Sequence, residues 1–250
     1  MSLMTQQRHE EILRILNEQG TVSVTDLTEA LGSSESTIRR DLLALDKLGK
    51  LTKVHGGATK SDHQFLHYEA DFEEKIQTNV EEKKRIAAYC AQQIQETDFV
   101  YLDAGTTTLL MIDFITAMGA QFITNGLSHA RELARRGFDV AMLGGEVKAA
   151  TDAVVGVAAA RNLESYNFSK AFIGTNGVDV KRGFSTPDPD EAFVKKTAID
   201  RAFVSYVLAD SSKFGKVSSV TFSSLEHSAV VTDARPAEVY EEQTVIKVVD

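Results

Sequence analysis

One cysteine in 250 residues, Cys90, excludes an intramolecular disulfide and any cysteine-based metal cluster. It sits between Tyr89 and Ala91 in a helical pattern, where a buried structural thiol is expected. Long uninterrupted apolar runs are missing, and with them a membrane-spanning helix. So is the basic-then-apolar form of a signal peptide, which points to a cytoplasmic protein without a membrane partner. Low-complexity tracts and solenoid repeats are missing too. What is present, 43% hydrophobic and 25% charged residues, suits a globular chain of one or two domains with a sizeable core.

The net charge of −9 argues against nucleic acid until its distribution is followed along the chain. The first sixty residues balance eight cations against eight acids, so the acidity belongs to the rest, where it limits nonspecific adhesion to DNA. Residues 36–60 carry six cations (Arg39, Arg40, Lys47, Lys50, Lys53 and Lys60) against two acids, Asp41 and Asp46. Positive charge is concentrated in that stretch.

Helical spacing predicts a first helix over residues 5–19, with Ile12, Leu13, Ile15 and Leu16 inward and Gly20 ending it. Ser23 with Asp26 three residues on has the form of a capping box. The helix it opens places Val24, Leu27, Ala30 and Leu31 on one face before Gly32 stops it. Ser34 then caps a longer helix in which Ile38, Leu42, Leu45 and Leu48 recur at inward spacing. That leaves Ser36, Thr37, Arg39 and Arg40 on outward first turns, where a recognition helix presents side chains to base edges and phosphates. After a turn at Gly49-Lys50, residues 51–54 and His55-Gly56-Gly57 read as a β-wing whose Lys53 can reach backbone phosphate. An arginine pair taken alone is a solvated charge pattern; two capped helices and a wing in order make it a DNA reader.

Residues 59–79 are polar, lack clean periodicity and contain His63, His67 and Tyr68. They read as a linker between a head, residues 4–58, and a body, residues 80–250. The body alternates helices and short apolar strands. A helix over 81–95, with Ile86, Ala87, Cys90 and Ile94 inward, leads to a strand at 99–102, a helix at 107–118 and a strand at 122–124. A helix at 127–135 and a strand at 140–143 follow, with further strands expected at 171–173, 206–209, 229–231 and 245–249. Units of this length argue an α/β fold with a mostly parallel sheet covered on both faces.

In such a sheet, ligands bind outside the carboxyl ends of the strands. The loop Asp103-Ala104-Gly105-Thr106-Thr107-Thr108 combines a glycine for a sharp turn, amides at a helix start and three hydroxyls, a set suited to phosphate. Neither a P-loop lysine nor full Rossmann glycine spacing accompanies it. Four more loops each follow an expected strand and should converge on one edge: Thr124-Asn125-Gly126, Gly144-Gly145-Glu146-Val147-Lys148, Gly174-Thr175-Asn176-Gly177 and Asp210-Ser211-Ser212-Lys213. Asn and Thr suit sugar hydroxyls, while Lys148 and Lys213 can neutralise a phosphate dianion. Each lysine taken singly is a surface cation; only the shared position favours binding. Asp103, Glu146, Asp188 and Glu191 on the same edge leave two roles open, acid-base catalysis or binding of sugar hydroxyls.

Residues 8–58, above all TIRRDL at 37–42 and VHGGA at 54–58, resemble the winged helix-turn-helix of DeoR-type bacterial transcription regulators. LDAGTTT, TNG, LGGEVK, GTNGVD, the acidic helix start at 188–192 and LADSSKFG resemble the effector domain of the same regulators. That domain is similar in fold to ribose-5-phosphate isomerase and the sugar-phosphate deaminases. The resemblance implies a regulator, most often a repressor, whose affinity for double-stranded operator DNA changes when a phosphorylated sugar occupies the cleft. Asp103, Gly105, Thr106, Thr107, Asn125, Lys148, Asn176 and Lys213 are the positions onto which the family's binding residues map. The run 174–179 with Thr186-Pro187-Asp188 resembles regulators of fructose operons, which respond to fructose 1-phosphate; tagatose 6-phosphate stays open. No cofactor, metal or catalysis is implied. The alternatives are an isomerase or deaminase carrying a DNA-binding head, and an activator, which differs only in the sign of coupling. One winged head makes few contacts, so a homodimer or homotetramer is expected.

Overall fold

Ser23 and Asp26 close the reciprocal cap that their spacing suggests. The Asp26 amide donates to Ser23 Oγ at 3.0 Å and the Ser23 amide to the Asp26 carboxylate at 3.4 Å, so aspartate serves where glutamate is usual. The computed structural model in which this cap is seen describes residues 3–47, 50–59, 64–66 and 71–250. Leu48, Gly49, Lys60, His63, His67 and Tyr68 lie outside the described residues. The chain divides into two compact units, Met1–Gln64 and Phe65–Asp250.

The first unit runs α1 (Leu3–Gln19), β1 (Thr21–Ser23), α2 (Val24–Leu31), α3 (Glu35–Lys47), β2 (Thr52–Val54) and β3 (Gly57–Thr59). Gly32 stops α2 in the left-handed conformation that a side chain would resist. Ile12, Leu16, Val24, Leu27, Ile38, Leu42, Leu45 and Leu51 form its core. Ala30 is exposed rather than inward, because eight residues of α2 turn it past the buried stripe. The wing strands β2 and β3 pair antiparallel, and β3 also takes β1 as a partner, a strand too short to read from sequence.

The stretch expected as linker contains β4 (Gln64–Phe65) and a helix, α4 (Phe72–Gln77), capped by the Asp71 side chain on the Glu74 amide at 2.9 Å. Six residues are too few to display helical periodicity. The body then begins with α5 (Val80–Gln92), which stops three residues short of its expected end. Strand β5 (Phe99–Leu102), α6 (Thr106–Met111), β6 (Gln121–Thr124), α7 (Leu127–Arg135) and β7 (Asp139–Met142) follow. Helix α6 ends well before residue 118: Arg136, at the end of α7, takes the Ile112 carbonyl at 3.2 Å and pairs with Asp113. Next come the hairpin β8 (Glu146–Lys148) and β9 (Ala153–Val155), α8 (Val157–Leu163), β10 (Phe168–Gly174), β11 (Gly177–Asp179), β12 (Gly183–Thr186), α9 (Pro189–Asp200) and β13 (Ala202–Leu208). The chain closes with β14 (Lys216–Val217), β15 (Val220–Ser223), β16 (Ala229–Thr232), α10 (Glu238–Glu241) and β17 (Ile246–Val248).

Seven strands form one sheet in the order β17-β16-β13-β10-β5-β6-β7, and each of its pairings is parallel. Alternate residues of each strand divide between two cores. Tyr101, Ala171 and Ile173 pack with α8 and α9 on one face, while Val100, Leu102 and Phe172 pack with α5 and α6 on the other. Cys90 lies in that second core as a free thiol, and burial pushes its pKa well up. Successive strands run outward one way from β5 through β6 to β7 and the other way from β10 through β13 to β17. The reversal falls between β5 and β10, the place where an open parallel sheet leaves a crevice.

Candidate functional site

A cavity of about 80 Å³ opens at that reversal, on the edge formed by the carboxyl ends of β5, β6, β10 and β13. Several waters or a compact polar group fit such a volume. Of the expected effector residues, Asp103, Gly105, Thr106, Thr107, Asn125, Asn176, Glu191 and Lys213 line it. Thr108, Thr124, Gly126, Gly144, Gly145, Lys148 and Gly177 do not.

The excluded residues build the walls. Thr108 is fully buried; its hydroxyl bonds the Asp103 carbonyl at 2.5 Å and accepts from the Gly105 amide at 3.0 Å, which fixes the loop's shape. Thr124 Oγ1 accepts from the Gly126 amide at 3.0 Å. Gly126 passes against the His129 ring, where a Cβ would fall 2.3 Å from Nδ1, and Gly177 passes against the Lys216 carbonyl at an equivalent 2.3 Å. Gly144 and Gly145 form the exposed entry to the β8–β9 hairpin. Lys148 is committed to two carboxylates, Asp188 and Glu191, each at 2.9 Å, so its charge is already met.

Asn125 lines the cavity with its polar groups already engaged. Its Oδ1 accepts from the Tyr101 hydroxyl at 2.9 Å and the Ala104 amide at 3.0 Å, and its Nδ2 donates to the Val154 carbonyl at 3.0 Å. It organises the loop that carries Gly105 to Thr107. The amides of Thr106 and Thr107, first in α6, have no partner among the described residues and border the cavity.

Asp103 is 2% exposed and pairs with Lys195, which also donates to the Gly174 carbonyl at 3.1 Å; the Gly174 amide donates to Asp103 at 3.0 Å. Beside them, burial pushes the Glu191 carboxyl up, but the charges of Lys195 and Lys148 outweigh it and hold it below its ordinary range. Those carboxylates are satisfied internally. Lys75, Lys83 and Lys213 also line the cavity, and the charges of Lys213, Asp210 and Lys75 all act on Lys83. Lys83 is only 4% exposed, donates to the Lys75 carbonyl and to Thr106 Oγ1 at 3.0 Å, and has its pKa lowered to about 8 by burial and by the charge of Lys213. Burial lowers Lys213 as well, against the opposing pull of Asp210.

Sequence reading missed Lys75, Lys83, Lys195 and Thr151 as lining residues, while Thr175 and Asp210 lie in loops it places on this edge. Two of the missed residues carried a signal. Lys83 stands three and four residues before Ile86 and Ala87, on the inward stripe of α5, and Lys195 stands one turn after Glu191. Lys75 sits on the six-residue helix that sequence could not distinguish from linker.

In the first unit, Ser36, Arg39 and Arg40 are exposed on the early turns of α3, Thr37 is half-buried, and Lys53 and His55 are exposed on the wing. Ser34 accepts weakly from the Thr37 amide at 3.4 Å, and its hydroxyl lies 3.1 Å from that of Ser36 and 2.9 Å from that of Thr37. Arg39 makes a loose pair with Glu35 at 3.2 Å, and Arg40 donates to the Ser36 carbonyl at 3.2 Å; both contacts are solvent-exposed and easily exchanged for phosphate. Asp41, counted above among the charges of this stretch, is buried instead: Arg8 and His9 of α1 hold it at 2.5 and 3.1 Å. The outward face is therefore more cationic than the sequence count. Among the described residues no helix is long and apolar enough to cross a membrane.

A winged helix-turn-helix with a cationic outward helix, followed in the chain by an α/β unit with a lysine-lined cavity at its sheet reversal, defines a DNA-binding regulator with a sensor domain. Residues 8–64 match the family model of the DeoR-like helix-turn-helix domain, and residues 78–234 match that of the DeoR C-terminal sensor domain. The chain belongs to the DeoR family. It is 42% identical over 251 residues to the uncharacterized HTH-type transcriptional regulator FruR of Bacillus subtilis (strain 168), covering 99% of each chain. It is 38% identical to the lactose phosphotransferase system repressor of Streptococcus mutans, covering 92% of each, and 35% identical to the repressor of that name from Staphylococcus aureus (strain N315), covering 98% of each. Among solved structures, ribose 5-phosphate isomerase A from Methanocaldococcus jannaschii aligns over 55% of each chain at 16% identity and a TM-score of 0.41.

Proposed function

We propose that the protein represses a sugar-catabolic operon and releases double-stranded operator DNA when a phosphorylated sugar fills the cavity. The observation that carries this reading is that Lys83 and Lys213, both lining the cavity, lie within electrostatic reach of each other, of Lys75 and of Asp210. Burial first, and the charge of Lys213 second, depress the pKa of Lys83. A phosphate dianion among these lysines reverses the sign of that second effect, and the open amides of Thr106 and Thr107 add donors beside it. Asn176 and the hydroxyls of Thr106, Thr107 and Thr175 would then face the sugar.

The cavity is read as a sensor rather than an active centre. Of the buried carboxylates that line it, Asp103 and Glu191 are ion-paired with Lys195 and Lys148, and Asp210 accepts from Asn79 and Ser212, so each is already engaged. Ser34, Ser36, Thr37, Arg39, Arg40, Lys53 and His55 of the head are assigned to DNA, with two or more copies of the chain placing heads on repeated half-sites. The names of the lactose phosphotransferase system repressors favour repression over activation. The resemblance of residues 174–179 to regulators of fructose operons makes fructose 1-phosphate the first ligand to test, with tagatose 6-phosphate next.

A thermal-shift screen with a panel of phosphorylated sugars tests the reading, since a ligand that binds only the folded state raises the melting temperature by mass action. Fructose 1-phosphate is expected to stabilise the full chain where fructose does not. No stabilisation by any sugar phosphate, or turnover of aldose and ketose phosphates by the full chain, would overturn it.

A further inference from the structure

Lys75, Lys83 and Lys213 come from three separate elements. Lys75 is in the last turn of α4, Lys83 in the first turn of α5, and Lys213 in the 3-10 turn Ser211–Lys213 that follows β13. Lys83 Nζ donates to the Lys75 carbonyl and so ties α5 to α4, while like charge repels the ammonium groups from one another. One residue joins all three elements. Asn79 is the joint between α4 and α5; its carbonyl accepts from the Lys83 amide at 3.0 Å, and its Nδ2 donates to Asp210 Oδ1 at 3.0 Å and Ser212 Oγ at 3.2 Å. Asp210 in turn caps the 3-10 turn, accepting from the Ser212 amide at 3.1 Å through the same oxygen and from the Lys213 amide at 2.9 Å through its carbonyl.

Two features set Asn79 apart from an ordinary helix cap. Its backbone is left-handed, φ +51° and ψ +46°, a region that side chains other than Asn, Asp and His rarely enter. An asparagine at this position normally accepts from the amides of its own helix, yet here no such bond forms and the side chain is spent on Asp210 and Ser212. We infer that Asn79 is a positioning residue for the anion: its left-handed backbone makes the turn between α4 and α5, and its side-chain amide latches that turn to the segment bearing Lys213. The inference rests on the reading of these lysines as the phosphate subsite. Without the latch, Lys213 is free to draw away from Lys83, and the charge that one dianion needs in one place is spread.

The test is isothermal titration of the full chain with inorganic phosphate and with fructose 1-phosphate, using Asn79→Gly, Lys213→Ala and the double variant. Glycine keeps the left-handed backbone without strain and deletes only the amide. Asn79→Gly is expected to melt near the wild-type temperature without ligand yet bind both probes about tenfold more weakly, and the double variant to bind no more weakly than Lys213→Ala alone. A merely structural role would give losses that add. Should Asn79→Gly fail to fold, Asn79→His, which also tolerates the left-handed backbone, carries the same comparison. Wild-type affinity in the variant, or additive losses, overturns the inference while the phosphate reading stands; absence of binding by the wild-type chain overturns both.

Discussion

Lys83 is a cation in an unexpected place. A lysine on the buried stripe of a helix is unfavourable in its charged form, and here burial and Lys213 together hold its pKa near 8 against an ordinary 10.5. Between those values the unfolded chain binds a proton that the folded chain does not, so this group makes the ligand-free protein more stable as pH rises through that window. Phosphate affinity moves the opposite way, because it needs the ammonium: above pH 8 it should fall by up to about tenfold per pH unit. Melting curves with and without inorganic phosphate across that range check both signs, and Lys83→Met should flatten both. The same position marks a limit of sequence reading. Lys148 and Lys213 were singled out because they follow strands, yet Lys148 turned out to be neutralised by Asp188 and Glu191 while Lys83 was hidden inside a helix counted only for its apolar residues. Which cations are spent depends on pairings across forty residues or more, and no local pattern carries that.

Among elements, the long periodic ones were legible and the short ones were not. The strand Phe99–Leu102, the helix Leu127–Arg135 and the cap at Ser23 stand where spacing and capping chemistry put them. The β8–β9 hairpin, β11, β12 and the six-residue α4 had no periodicity long enough to see, and their stability comes from packing rather than propensity. In the head, the tie between α1 and α3 belongs to the same class. Burial raises the Asp41 carboxyl, but hydrogen bonds from Arg8 and His9 outweigh it and hold its pKa below the ordinary value. The stabilisation is therefore present above the ordinary carboxylate range and lost as pH falls through the lowered value. Asp41→Ala should destabilise the head by about 1–3 kcal/mol, because it strands Arg8 and His9 against α3. Urea unfolding of the full chain, followed by a probe in the head, measures it; no loss of stability would mean the contact contributes nothing.

For the whole molecule, the division of labour predicts that damage to one unit spares the other's ligand. Arg39→Ala or Arg40→Ala should weaken operator binding and lower the slope of log affinity against log salt by about one, with sugar-phosphate binding intact. Lys213→Ala should do the reverse, leaving operator affinity in the absence of sugar phosphate nearly unchanged. Variants of both kinds that lose both functions while folded would contradict it. The most direct measurement is fluorescence anisotropy of the full chain on a labelled operator fragment, titrated with fructose 1-phosphate, tagatose 6-phosphate and their unphosphorylated sugars. The account predicts release by at least one of the phosphorylated sugars and by neither parent sugar; occupancy that no phosphorylated sugar alters would contradict it.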